Sequence, residues 1–563
     1  MPSRFRSRRV ALVLAAALTL TACTASDPGP KPAPPVRTSD PDAALTVVGD
    51  AGDSAASVAT SRELFDTSPL VVVAPAGDAV AQELAARTAI TLGVPLVAAE
   101  DSSESTPSPT ATPEATATPG DSLATELDRL GAATVLAIGA VSDPGLPDDD
   151  AGNDNADLTI ERIDATADAV TEATGIDPGE PTADDPAGFA AGLAAFDPPR
   201  PSRSNTDDTA IPLPKPAKAL ADTLALAVDD PAALSSIATA RAAAVPVHVV
   251  PAGSANPQSQ ASVIDALAAS TTTKTIAIGA AFAAEPALEW KVRSARTGVQ
   301  LPGGGQLLFA QHQFVALYGT PSTSALGVLG EQDAAGAVQR ARDVAAPYAA
   351  LTDKTVVPMF EIIATVAAGG PGPDGNFSNE LSADGLRPWV DAAAAAGLYV
   401  VIDLQPGRTD FLTQAKLYQS LLELPNVGLA LDPEWRLGPD QVPLTQIGSV
   451  SATEVNSVTT WLADLTNEKG LPQKMLVLHQ FRPSMISDRA SIDLSRPEVA
   501  VLIHADGQGG QGDKQATWAN LHRDAPAGLF WGWKNFYDED APMLTPEQTM
   551  GGVSPAPDLV TYQ

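Results

Sequence analysis

Cysteine is almost absent. The 563 residues contain one, Cys23. A chain with a single cysteine closes no internal disulfide and builds no thiolate metal cluster, so packing must hold it together. Positive charge is scarce too: 34 Lys and Arg stand against 68 Asp and Glu, a formal net charge of −34. That balance excludes nucleic acid and anionic membrane surfaces as electrostatic partners. It leaves neutral or cationic ligands, uncharged glycans among them. No apolar run reaches the ~20 residues that span a bilayer. No Gly-x-Gly-x-x-Gly opens a first βα turn, so a dinucleotide cofactor is not expected, and no cofactor is assigned.

What is present begins at the N-terminus. Arg4, Arg6, Arg8 and Arg9 precede an apolar run from Val10 to Leu20, followed by Leu20-Thr21-Ala22-Cys23. A basic segment, a short apolar segment and small residues form a secretory signal. The cysteine after small residues resembles the lipobox of bacterial lipoproteins. The resemblance implies that residues 1–22 are a signal peptide and that Cys23 carries the acyl chains (palmitate-type) as the first mature residue. The chain is then expected at the extracytoplasmic face of the cell membrane, held by the lipid anchor alone. More than one acyl chain suits stable anchoring. Residues 23–44, rich in Pro, Asp and Ser, read as an extended tether.

Residues 45–300 alternate apolar strands with Ala-rich helices, and they do so twice. The first copy runs Leu70–Ala74, a helix from Ala79 to Leu92, Val94–Val97 and Val135–Ala140. The second runs from a helix at Ala232–Ala244 through Val245–Val250 to Thr275–Ala280. A Ser/Thr/Pro-rich segment at 101–120 lengthens the first copy and reads as a disordered insertion. Pro144–Asp157 and Asp197–Pro216 read as further solvated breaks. Apolar strands alternating with helices imply parallel sheets covered by helices. The pattern resembles the cell wall-binding repeat 2 family of Gram-positive surface proteins. Glu161-Arg162-Ile163-Asp164-Ala165-Thr166-Ala167 matches its helix-start element, and Pro75-Ala76-Gly77-Asp78-Ala79 is a worn form of another motif. The resemblance implies binding of a wall polymer; a spacer without a ligand is the alternative.

Residues 301–563 change rhythm. Seven β-rich runs occur: Phe314–Tyr318, Thr355–Ile363, Leu398–Leu404, Val427–Asp432, Met475–Phe481, Val499–His504 and Gly528–Lys534. Helical stretches separate most of them, and Gln306–Ala310 is the candidate eighth strand. The spacing predicts a (β/α)8 TIM-barrel-like domain; an open doubly wound sheet is the alternative. The expected fold class is α/β throughout, a parallel repeat module followed by a barrel.

Barrel enzymes carry their chemistry at the C-terminal ends of the strands. Here those ends hold Tyr318, Glu361, Asp403, Asp432, His479, His504 and Asp506. Asp432 and Glu434, two positions apart, are expected on one face, ~6.6 Å apart along a strand. Two carboxylates that close push one another toward different protonation states. Trp435, Trp531 and Trp533 offer flat faces for sugars. Asp432-Pro433-Glu434 resembles the Asp-x-Glu of glycoside-hydrolase barrels of the family 18 chitinase-like and family 25 lysozyme-like kinds. That resemblance implies Glu434 as general acid and Asp432 as its helper; Asp403 and Glu361, at the ends of other strands, are expected to complete the catalytic set. Tyr318, Trp435, His479, His504, Asp506, Trp531 and Trp533 are the expected substrate-binding residues. Pro433 also permits a turn in which Asp432 is simply a cap. Asp403, Asp432, His479 and His504 are suitable metal ligands by type, but no His-x-His or His-Glu-x-x-His spacing supports one, so no metal is assigned. The sequence thus predicts a lipid-anchored envelope protein whose barrel binds, and hydrolyses by acid catalysis, an envelope glycan. A non-catalytic glycan-binding scaffold is the alternative.

Overall fold

The computed structural model describes residues 35–100, 123–141, 158–179, 188–199, 211–251 and 253–563. The signal segment, Cys23, the 101–120 insertion and most of the other two breaks lie outside them. Among the described residues no helix is long and apolar enough to cross a membrane.

Among the described residues, Arg37–Thr38, within the expected tether, pairs antiparallel with Phe65–Thr67, and eight further strands build the N-terminal half: β1 (Leu45–Val48), β2 (Leu70–Pro75), β3 (Leu96–Ala99), β4 (Thr134–Ile138), β5 (Thr159–Ile163), β6 (Thr223–Val228), β7 (Val247–Val250) and β8 (Lys274–Ile278). They form two four-stranded parallel sheets of matching order, β3-β2-β4-β5 and β7-β6-β8-β1. The repeat therefore has a feature that periodicity does not reveal. Each half gives its first strand to the other half's sheet, β1 pairing with β8 and β5 with β4. The Glu161–Ala167 element splits accordingly: Glu161-Arg162-Ile163 belongs to β5, and Thr166 caps the helix Ala167–Thr174 by accepting from the Ala169 N–H.

Strand β2 is buried throughout, as a parallel strand covered on both faces must be. Helices α1 (Asp53–Leu64), α2 (Ala79–Leu92) and α3 (Leu234–Ala242) pack together between the sheets. Their hydroxyls satisfy the free edge of β3. The Leu96 N–H donates to Thr239 Oγ1 (3.0 Å), Thr239 Oγ1 donates to the Leu96 carbonyl (2.9 Å), and the Ala98 N–H donates to Ser57 Oγ (3.0 Å). An unpaired edge is an aggregation hazard, and two side chains from different helices close this one.

Asp53 lies where the three helices meet, 7% exposed. Its Oδ2 accepts from Ser235 Oγ at 3.1 Å and from Gln82 Nε2, while Oδ1 has no partner. Burial outweighs these hydrogen bonds and raises its pKa to about 7.

The C-terminal half closes into an all-parallel barrel of β9 (His312–Gly319), β10 (Thr355–Ala367), β11 (Tyr399–Leu404), β12 (Val427–Leu431), β13 (Lys474–Gln480), β14 (Val499–Ala505), β15 (Phe530–Asn535) and β16 (Leu559–Tyr562). Strand β9 pairs with both β10 and β16, which shuts the ring. All seven β-rich runs are strands. The eighth is not Gln306–Ala310 but Leu559–Tyr562, inserted between β15 and β9. The 306–310 segment instead turns under the barrel. Leu308 and Phe309 join Leu301 in the apolar cluster that fills the lower interior, because two large apolar side chains there cover core that a strand would leave open. Helices Ala334–Ala345, Ala383–Ala395, Ala452–Lys469 and Gln511–His522 lie outside the barrel, whereas the β13–β14 connection carries two 3-10 turns and the two-residue strand Ile486–Ser487 but no α-helix.

The buried carboxyl gives a pH prediction. Between pH 4 and pH 7 Asp53 is protonated in the folded chain and ionised in the unfolded one. Its contribution to stability is complete below pH 4 and is lost as pH rises to 7, by up to ~1.4 kcal/mol per unit. Asp53→Asn keeps the acceptor and cannot ionise. Its melting temperature relative to wild type therefore rises across that window. Parallel curves for the two proteins contradict the assignment.

Candidate active site

Alternate residues of each barrel strand point inward. The lower inward positions are apolar, among them Phe314 and Ala316, Val357 and Met359, Tyr399 and Val401, Met475 and Val477, and Ala500 and Leu502. The next inward position changes character on every strand or just past its end. It is Tyr318, Glu361, Asp403, Asp432, His479, His504, Lys534 and Thr561 in turn. The barrel thus ends in a layer of eight polar side chains, all buried.

Hydrogen bonds link most of the layer, but Glu361 Oε2 and Asp403 Oδ1 have no partner among the described residues. Tyr318 Oη donates to Asp403 Oδ2 at 2.8 Å. His479 Nε2 lies 2.8 Å from Glu361 Oε1 and 3.9 Å from Asp403 Oδ1, and its Nδ1 lies 3.0 Å from Asp506 Oδ2. His504 Nδ1 is 3.3 Å from His479 Nδ1, while its Nε2 is 3.1 Å from Thr561 Oγ1. The Lys534 ammonium lies 3.5 Å from the centre of the Tyr318 ring, a cation–π contact.

Charge follows from this geometry. Burial opposes a charge on His479, but Glu361, Asp403 and the hydrogen bonds from Asp506 and Glu361 outweigh it and hold the imidazole well above its ordinary pKa. His504 goes the other way: burial, then the neighbouring His479 and Lys534 charges, push it well below. Burial would raise Asp506, but the His479 hydrogen bond and the charges of His479 and Lys534 keep it low. Burial raises Asp403, with Glu361 adding to it against His479. Burial, together with Asp403, Asp506 and Glu434, lifts Asp432 well above the carboxylate range. Glu434 is raised by burial and by Asp506. Tyr318 is pushed far up by burial and the three nearby carboxyls.

Above the layer opens a cleft of about 580 Å³, the size of a small-ligand site. Tyr318, Asp432, Glu434, Trp435, Asp506 and Lys534 line it, with Gln405, Phe481, Arg482 and Gln563. Glu361, Asp403, His479 and His504 lie beneath it, fully buried. Asp432 and Glu434 reach the cleft, but not along one strand. Strand β12 stops at Leu431, and Pro433–Trp435 forms a 3-10 turn in which Asp432 Oδ1 accepts from the Glu434 N–H at 3.2 Å. Proline cannot donate to a ladder, so the strand ends before it. The Glu434 carboxylate itself has no hydrogen-bond partner among the described residues, and it is half-buried.

Trp531 and Trp533 are not in the cleft. Their parity on β15 is opposite to that of Lys534, so they face the helices. Trp531 stacks on His522 at 3.5 Å, and Trp533 is buried in the outer core and donates from Nε1 to Asn535 Oδ1 at 2.9 Å. Gly532 between them has the inward position. A Cβ there would lie 2.3 Å from His504 Cδ2, so the glycine makes room for the histidine. Gly507–Gly510 is a loop leading into the helix Gln511–His522, and Gly507 and Gln508 line the cleft. Thr561, Arg482, Gln405 and Gln563 were not singled out from sequence, and Lys534 stood out only as a polar strand end, without a site role.

Glu361, His479 and His504 each offer one donor atom suited to a metal ion, all within 4.8 Å of one another.

No family model matches this chain, and no curated protein matches it. Among solved structures it is similar to Cwp6 from Clostridium difficile, at 15% identity with a TM-score of 0.28, over 59% of this chain and 64% of that one. The chain thus spans less than two thirds of that protein's length.

Filling Gly532 tests the layer. Gly532→Ala is expected to destabilise the barrel by ~1–3 kcal/mol in chemical denaturation, since His504 has nowhere to retreat. Gly369→Ala, outside any helix or strand and with nothing within 4 Å, is the near-neutral control. Equal stability of the two variants contradicts the packing.

Proposed function

We propose that this chain works at the bacterial cell envelope, anchored through Cys23, and that its barrel hydrolyses a neutral or cationic envelope glycan by general acid catalysis. The observation that carries this reading is Glu434. Its carboxyl stands in the cleft with no protein partner, raised by burial and by Asp506, above a sealed layer that keeps other charges fixed. A raised carboxyl is protonated closer to neutral pH and can donate to a leaving oxygen. Asp432, also raised, stands beside it as helper. Trp435 and Phe481 supply flat apolar surface along the cleft, and Lys534 with Arg482 balance the acidic wall. The strong overall acidity disfavours anionic polymers as substrate. The repeat half is proposed to hold the protein to wall polymer while the barrel acts.

One observation favours the binding-only alternative. Asp432 already has structural work as the cap of the Pro433–Trp435 turn, so its presence does not by itself require catalysis.

The test is release of reducing ends from purified envelope polysaccharides. Glu434→Gln, isosteric and with no hydrogen bond to lose, is expected to lower turnover by ~10²-fold or more while melting like wild type. Wild-type turnover is expected to fall as pH rises through the Glu434 pKa, because the acid form is lost. Undiminished turnover in the variant removes Glu434 from the mechanism. Retention of glycan by wild type, weakened in Trp435→Ala and never followed by cleavage, establishes the binding-only alternative.

A further inference from the structure

We infer that Glu361, His479 and His504 form a binding site for one divalent transition-metal ion beneath the cleft, with Asp403 and Asp506 at its margin. Their donor atoms lie within 4.8 Å of one another. Bonds of ~2.0–2.2 Å place the donors of a single ion ~3–4 Å apart, so small side-chain rotations close the set. Three features of the cluster point to a cation.

First, three carboxylate oxygens around it are buried and have no hydrogen-bond partner: Glu361 Oε2, Asp403 Oδ1 and Asp506 Oδ1. The Glu361 and Asp403 side chains are completely buried, and the Asp506 side chain is 7% exposed. Buried polar atoms are almost always paired, and three orphans of one sign at one place mark a missing positive partner. Second, His479 Nδ1 and His504 Nδ1 lie 3.3 Å apart, so the two imidazoles reach one point. Third, the far ring nitrogen of His504 is already held as that of a metal-bound histidine usually is, its Nε2 lying 3.1 Å from Thr561 Oγ1. Thr561 thereby fixes the ring of His504 with Nδ1 toward the cluster, and Gly532 leaves that ring its space.

Two imidazoles with one carboxylate suit zinc, and with further carboxylates nearby also manganese or iron. No sequence spacing announces the set, because its members come from β10, β13 and β14. The inference does not rest on the glycan reading. An ion here would neutralise the carboxylates below the cleft whatever molecule fills it, and its readout is binding rather than turnover.

The test uses the mature chain without a histidine tag, stripped with chelator and titrated calorimetrically with Zn2+ alone and with Mn2+ alone. One ion per chain is expected for at least one metal, together with a metal-dependent rise in melting temperature. Glu361→Gln and His504→Gln are each expected to weaken binding by 10-fold or more. His248, His312 and His522 lie elsewhere in the chain, and a His248→Gln/His522→Gln double variant is expected to bind as wild type. Binding that is absent in wild type, or unchanged in both cluster variants, overturns the site. If either cluster variant melts abnormally without metal, anomalous scattering from zinc-soaked wild-type crystals decides. A peak among the three donors supports the site, and its absence overturns it.

Discussion

His479 bridges carboxylates that belong to different parts of the barrel. One ring nitrogen meets Glu361 on β10 and the other meets Asp506 just past β14. The polar layer depends on that bridge. Without it, three buried carboxyls would face one another with only Lys534 nearby, and a buried charge stripped of its partner costs ~3–5 kcal/mol. With it, Asp506 stays ionised, His504 stays neutral, and Tyr318 and Thr561 have defined hydrogen-bond roles. The cleft above inherits the result. Glu434 and Asp432 face a fixed field instead of a mobile one, which is the preorganisation that acid catalysis needs.

The barrel illustrates how a strand divides its labour along its length. Each begins with inward apolar residues that make a dry core, plugged from below by Leu308 and Phe309. Each then ends with one polar residue. The repeat half solves a different problem with the same parallel strands. Its two sheets exchange their first strands, so neither half completes its sheet alone. That exchange, together with the packing of α1, α2 and α3, ties the repeats into one unit.

Much of this was legible in the sequence. Seven barrel strands stood out because β-rich runs separated by helices have few other readings, and the polar residues at their ends were visible with them. Strand β16 was not, since Leu559–Tyr562 is short and follows Pro555 and Pro557. Gln306–Ala310 looked equally strand-like because burial as a plug and burial as a strand demand the same apolar residues. Position at a strand end was enough to bring out Asp403, His479 and His504. Parity, applied to Asp432 and Glu434, failed because Pro433 ended β12 before Glu434. The tryptophans of Trp531-Gly532-Trp533 attracted a sugar-binding reading, whereas the glycine between them holds the position that matters to the site. Contacts between distant strands, such as His479 with Glu361, have no local signature at all.

The account stands or falls on the cleft at the C-terminal mouth of the barrel. The most direct measurement is a crystal structure of Glu434→Gln soaked with oligosaccharide fragments of the purified envelope glycan. The account predicts a sugar chain in the cleft, one ring against Trp435, with a glycosidic oxygen within hydrogen-bond reach of residue 434. Sugar bound only on the repeat half, with the cleft empty at saturating concentration, would contradict it.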